Sequence, residues 1–140
     1  MFSFKVSNTL PEDGAYIRKT VFTEEQGFEE EFDEKDGISK HIVLYKDNET
    51  AGVCRFYFDS EKQIYIIGRL AVMKKFRGEK LGAAVLGEAE RQIRVLNGES
   101  VSLAAQVRAK GFYEKQGYVS IGKEFSEEGC PHIQMYKNLK

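Results

Sequence analysis

The pattern of apolar and polar positions changes character along the chain, and each change marks an element. From Gln63 to Val72 the run Gln-Ile-Tyr-Ile-Ile-Gly-Arg-Leu-Ala-Val is β-branched and has no 3.6-residue stripe, which predicts a central strand buried over much of its length. Gly68 sits near its middle, where a glycine lowers stability unless it makes a bulge or admits a close neighbour. From Gly82 the period switches. Val85, Leu86, Ala89, Ile93 and Leu96 recur at helical spacing, and Asn97-Gly98 supplies the stop. Near the start, Phe2 to Ser7 alternates as a strand. Pro11 then opens a helix that reaches Glu25, capped by Thr9 or by the backbone around Leu10, with Tyr16, Ile17, Thr20 and Val21 as its apolar side. Strands near His41–Lys46 and Gly52–Asp59 form an antiparallel meander with Ile64–Val72, turning at Asp47-Asn48-Glu49-Thr50 and Ser60-Glu61-Lys62. A short strand Val101–Gln106, a helix Arg108–Gln116 closed by Gly117, and two strands near Tyr118–Phe125 and His132–Asn138 complete the order. The set implies an α/β (α+β) fold in one domain over residues 1–140. Its sheet is mixed, mostly antiparallel and of about seven strands, with helices on both faces.

Chemistry concentrates between the long strand and the long helix. The connection reads Phe76-Arg-Gly-Glu-Lys-Leu-Gly82, preceded by Lys74 and Lys75, and only Glu79 opposes its cations. A strand end followed by a loop and a helix start presents orphan amides and the positive end of the helix dipole. Both favour a phosphate or pyrophosphate. The P-loop pattern G-K-[ST] and the dinucleotide fingerprint G-x-G-x-x-G are both absent. An ordinary strand-to-helix turn with a solvated basic loop would read the same way at this level.

Charge and cysteine usage narrow the class. The 140 residues carry a formal net charge of −1, which gives no bulk attraction to nucleic acid or to a membrane surface. No apolar run is long enough to span a bilayer, and Phe2–Val6 alternates instead of forming a signal-peptide core. Cys54 and Cys130 lie far apart in sequence and are expected to stay reduced in a cytoplasm. His41 and His132 have no metal-ligand spacing, so no metal is expected.

Two segments together resemble the GNAT superfamily of acetyl-CoA-dependent N-acetyltransferases. Arg77-Gly78-Glu79-Lys80-Leu81-Gly82 lies across the family's Q/R-x-x-G-x-G/A pattern; Arg77 and Gly82 match, while Lys80 stands where the first glycine is usual. In that place Lys80 would need a positive φ, at a steric cost. Gln106, Ala109, Tyr113, Lys115, Gly117 and Tyr118 take the places of N-x-x-A-x-x-x-Y-x-K-x-G-[FY]. Val21-Phe22-Thr23-Glu24-Glu25-Gln26 and Gly129-Cys130-Pro131-His132-Ile133-Gln134-Met135 resemble the ElaA-like branch, so the likeness runs from about Arg18 to Met135. The resemblance implies acetyl-CoA (or CoA) as cosubstrate. Its pyrophosphate would lie on the amides of Arg77, Gly78, Glu79, Lys80, Leu81, Gly82 and Ala83. Its pantetheine would enter between splayed strands carrying Leu70, Ala71 and Val72 on one side and Leu103–Gln106 on the other, meeting the Gln106 amide. Tyr113 falls where many members have the general acid for the departing thiolate.

Acyl transfer to a primary amine by direct attack also needs a base, because an amine of pKa about 10.4 is protonated at neutral pH. Backbone N–H groups near Leu70–Ala71 are candidates to polarise the carbonyl. For the base the candidates are Glu25, Glu30, Asp33, His41 and His132, with His132 and Glu25 foremost. Each also has an ordinary reading, as a structural histidine or a solvated helix-end charge. The acidic run from Gly27 to Gly37 would attract a cationic acceptor, or is a solvated face. The expected partner is a small-molecule or peptide amine, and a homodimer is left open. Two other readings stand beside this one: a degenerate CoA-binding domain without turnover, and an unrelated nucleotide- or anion-binding module.

Overall fold

The strand pattern produces a seven-stranded sheet of order β1-β2-β3-β4-β5-β7-β6. The strands are β1 (Phe2–Ser7), β2 (Lys40–Lys46), β3 (Glu49–Asp59), β4 (Ile64–Val72), β5 (Ser100–Gln106), β6 (Val119–Glu127) and β7 (Cys130–Asn138). Helix α1 (Glu12–Arg18) precedes β2, α2 (Leu81–Val95) joins β4 to β5, and α3 (Lys110–Lys115) precedes β6. The computed structural model describes residues 1–28 and 32–140. The part of the acidic run at Glu29, Glu30 and Glu31 lies outside the described residues, and with it the candidate base Glu30. All neighbouring strands are antiparallel except β4 and β5.

Alternation along the central strands loads both faces. Val43 of β2, Val53 of β3 and Ala71 of β4 pack with Ile17, Val21 and Phe22 on the α1 side. Ile42, Leu44, Cys54, Phe56 and Ile67 pack with Leu81, Val85, Leu86, Ala89 and Ile93 of α2 on the other. Several boundaries differ from the sequence expectation. The first turn is tighter, since Asp47 and Asn48 both take positive φ (51° and 70°), and β3 starts at Glu49 instead of Gly52. Two positive φ values in succession make the primed hairpin turn whose twist suits an antiparallel pair. Pro11 is the N-cap of α1 and no side chain caps it, so Thr9 does not serve. Tyr16 is 58% exposed, whereas the neighbouring Arg18 is fully buried. The α1 helix continues to Glu25 as expected, but Lys19–Glu25 is π-helical, with Gln26 N–H donating to the Val21 carbonyl at 3.1 Å.

At the end of α2 the left-handed residue is Asn97 (φ 66°), and Gly98 N–H closes onto the Ile93 carbonyl at 2.8 Å. Leu96 falls outside the apolar stripe and is 42% exposed. Gly98 is required by packing. A Cβ there would lie 2.3 Å from Ile93 Cγ2, 2.8 Å from Tyr65 Cδ2 and 3.0 Å from the Ile93 carbonyl oxygen. Gly98→Ala is therefore expected to destabilise the fold by about 1–3 kcal/mol, the usual range for overpacking. A denaturant midpoint unchanged from the wild type would refute this.

Two irregularities of β4 shape the site. Its register with β3 passes from Val53↔Ala71 to Arg55↔Gly68, so β4 carries an extra residue. The bulge expected at Gly68 is present, but its positive φ belongs to Arg69 (55°). Secondly, β4 pairs with β5 only at Tyr65↔Val101 and Ile66↔Ser102, while β5 pairs with β7 from Ser100 to Gln106. Beyond Ile66 the two strands part, leaving Leu70–Val72 and Leu103–Gln106 on opposite walls of a gap.

Candidate functional site

One wall of the gap leads into the basic loop. Phe76, in a 3-10 turn from Lys74 to Phe76, is buried and anchors the loop; Gly78 (φ 86°) and Lys80 (φ 64°) then turn the chain into α2. Lys80 occupies the left-handed conformation that the motif assigns to a glycine, and it is the N-cap of α2 without any side-chain cap bond. The backbone N–H groups from Gly78 through Ala83 find no acceptor among the described residues. Successive unpaired amides at the start of a 15-residue helix form an anion cradle. The loop cations are countered by more than Glu79, contrary to the local reading. Lys46 of β2 pairs with Glu79, Lys75 Nζ lies 2.7 and 2.9 Å from the Glu49 carboxylate, and Arg77 is gripped by Glu25 from the end of the π-helical turn. Gly82 faces the other wall, since a Cβ there would lie 3.4 Å from Phe112 Cζ.

The second wall runs from β5 into α3. Gln106 Nε2 donates to Gln26 Oε1 at 2.9 Å, and Arg108 Nε donates to Gln106 Oε1 at 2.8 Å. Gly117 (φ 97°) closes α3 as expected. The Tyr113 ring stands edge-on to Phe112 (5.0 Å between centroids) and Tyr118 (5.8 Å). Burial, then the nearby Cys54, pushes the Tyr113 phenol well above its usual pKa, so it holds its proton at neutral pH. Tyr118 donates to Glu90 Oε2 at 2.8 Å, and Lys137 donates to Glu90 Oε1 at 2.9 Å. This buried Tyr118–Glu90–Lys137 bridge joins α2, the end of α3 and β7. Sequence reasoning missed Glu90 and Lys137. A glutamate one residue beyond the apolar Ala89 reads as solvated until its partners from distant elements are known.

The base candidates separate in space. His132 is buried on β7 directly opposite Gln106 in the register. Its Nδ1 lies 2.8 Å from the Cys130 carbonyl, its Nε2 lies 3.5 Å from Glu127 Oε2, and its ring stacks on Phe125. Glu25 accepts from Arg77 Nη1 at 2.6 Å and Nη2 at 2.8 Å. That hydrogen bond outweighs burial and lowers the Glu25 pKa below the usual carboxylate range. Asp33 and His41 lie elsewhere, in a polar cluster on the α1 face. There Arg18 Nη1 and Nη2 reach Asp36 at 2.7 and 3.1 Å, and Arg55 Nη1 reaches Asp33 Oδ1 at 2.5 Å and Asp36 Oδ1 at 3.0 Å. Arg69, at the β4 bulge, reaches Asp33 at 3.1 Å. Burial raises the Asp33 carboxyl pKa, but the hydrogen bond and charge of Arg55 and the charge of Arg69 outweigh it and leave the pKa lowered. His41 is fully buried, with Nε2 3.0 Å from the Asp36 carbonyl oxygen, and burial lowers its pKa. Asp33 and Asp36 are thus counter-ions of three arginines. Arg18 and Arg55, buried on helix and strand, gave no separate signal in the sequence.

Residues 7–139 match the family described as an acetyltransferase (GNAT) domain. The chain belongs to the GNAT family. It is 35% identical over 130 residues to the "Uncharacterized N-acetyltransferase YjcF" of Bacillus subtilis, covering 90% of this chain and 91% of that protein. It is 28% identical over 128 residues to the protein ElaA of Escherichia coli, covering 88% and 84%. The crystal structure of E. coli ElaA superposes with a TM-score of 0.84 at 25% identity, over 98% of this chain and 99% of that one. An acyl-CoA N-acyltransferase from Pseudomonas aeruginosa has the same fold, with a TM-score of 0.84 at 22% identity over 98% and 99% of the chains. The ElaA-like likeness seen in the sequence therefore holds, and an unrelated nucleotide-binding module is set aside. For a GNAT domain the expected cosubstrate is of the acyl-CoA type, and the residues fit one. The unpaired Gly78–Ala83 amides suit a pyrophosphate, and the unpaired edges of β4 and β5 suit an extended amide-bearing arm. Among the described residues no helix is long and apolar enough to cross a membrane.

Proposed function

We propose that this protein is an acetyl-CoA-dependent N-acetyltransferase acting on a primary amine, a small molecule or a peptide. The observation that carries the reading is the run of unpaired N–H groups at Gly78–Ala83, opening directly onto the gap between β4 and β5. Acetyl-CoA, when bound, supplies the acyl group as an activated thioester. The chain's own groups do the rest. Arg77–Ala83 hold the pyrophosphate, and Gln106 orients the arm. Main-chain N–H groups at Leu70 and Ala71 face the gap as donors to the acyl oxygen. Tyr113 keeps a proton on Oη, with no hydrogen bond to any described residue, and gives it to the leaving sulfur.

His132 is the base we favour for the acceptor's proton. With the Nδ1 proton donated to the Cys130 carbonyl, Nε2 carries the lone pair, a tautomer assigned from the hydrogen-bond geometry. Glu25 is the weaker candidate while Arg77 holds it. A cytoplasmic site of action accords with two free cysteines. CoA binding without turnover is the second reading. The observation that favours it is Lys80, a lysine at φ 64° in the cradle.

The first test is a melting experiment. At about a hundred times its dissociation constant, acetyl-CoA should stabilise the fold by about 2.7 kcal/mol. No shift at millimolar acetyl-CoA would remove both readings. A shift without thiol release over a broad amine panel would select the second.

A further inference from the structure

Glu25 and Gln26 are adjacent at the end of the π-helical turn, yet they reach opposite walls of the gap. Glu25 accepts both hydrogen bonds from the Arg77 guanidinium, on the loop that follows β4. Gln26 accepts from the Gln106 amide, at the end of β5. The two side chains form a strap across the mouth. Each holds a group that the acyl-CoA reading assigns to the cosubstrate: the charge of Arg77 and the amide of Gln106.

Resting on that reading, we propose that Glu25 is a built-in competitor for the cosubstrate: Arg77 exchanges the Glu25 carboxylate for the pyrophosphate oxygens when CoA enters. Three features of the geometry support the exchange. Arg77 Nε donates to the Val72 carbonyl at 3.0 Å, so the guanidinium is tethered to the loop and can pivot without leaving it. Both partners of the ion pair are 39% exposed, so separating them exposes little that water does not already reach. The pyrophosphate carries more charge than a carboxylate and offers the same two-pronged geometry to a guanidinium, a few residues from amides aimed at the same anion. The exchange has a consequence for Glu25. Arg77 is what holds its carboxyl pKa down, so release returns it toward the ordinary range and makes it a better proton acceptor only once cosubstrate is in place.

The test is calorimetric and needs no acceptor amine. CoA, and separately inorganic pyrophosphate, are titrated into wild type, Glu25→Gln, Glu25→Ala and Arg77→Gln, each shown to be folded by circular dichroism. Removing the competitor should tighten CoA binding about three- to fivefold in both Glu25 variants, the scale of a half-exposed ion pair. Arg77→Gln should weaken it, and the double variant Glu25→Gln/Arg77→Gln should match Arg77→Gln alone. Affinity in the Glu25 variants equal to or below wild type overturns the exchange while leaving the acyl-CoA reading standing. No CoA binding by any of the proteins overturns both.

Discussion

Tyr113→Phe should lower kcat by about 10²-fold, the lower end of what a general acid contributes, while CoA affinity and stability stay near wild type. The aromatic ring is held edge-on by Phe112 and Tyr118, and phenylalanine keeps both contacts. The hydroxyl makes no hydrogen bond to a described residue, so its removal leaves no partner unsatisfied. Only the proton is lost. A group that acts in the transition state alone changes kcat and kcat/KM together, whereas a binding group changes KM. The measurement is thiol release with any amine that the wild type acetylates, alongside CoA binding. A wild-type rate would make Tyr113 a packing residue.

Asp36→Ala should cost about 3 kcal/mol of stability, roughly 10 °C in melting temperature for a chain of this size. The reason is the partner left behind. Arg18 is fully buried, and Asp36 holds both ends of its guanidinium. Burial by itself raises the Asp36 pKa, but hydrogen bonds and charge from Arg18, with Arg55, more than reverse this and hold it far below the usual carboxylate range. A folded-state pKa below the unfolded one adds stability above the unfolded value of about 3.9, and that stability fades as pH falls through the folded value. Wild type should therefore lose stability on acidification from about pH 5 downward, and Asp36→Ala should lose less over the same range. Equal acid slopes in urea denaturation, or a loss within 0.5 kcal/mol at pH 7, would show that the cluster does not hold the fold.

What could be read without the structure was whatever depends on near neighbours in the chain. The β4 run, the α2 stripe and the Asn97-Gly98 stop are local, and each stands within a residue or two of its expected place. The Lys80 conformation was legible too, because a helix start after that turn needs a left-handed residue. The acidic stretch misled for the opposite reason. Its charges look solvated until Arg18, Arg55 and Arg69, drawn from α1, β3 and β4, are seen behind Asp33 and Asp36. Glu25 likewise reads as a helix-end charge, since Arg77 is 52 residues away. Long-range ion pairs have no period, and composition does not show them.

The π-helical stretch Lys19–Glu25 has a bearing on how this mouth can change over descent. Hydrogen bonds spanning five residues instead of four mean that the stretch accommodates one residue more than an α-helix of the same extent would. Loss of a single codon there would leave a helix-forming segment and an intact Ile17 and Arg18. Yet it would turn everything downstream by about 100°, the rotation of one α-helical residue. Glu25 and Gln26 would swing off both walls together. One small deletion, remote from the amide loop in sequence, would unfasten the mouth while sparing the sheet.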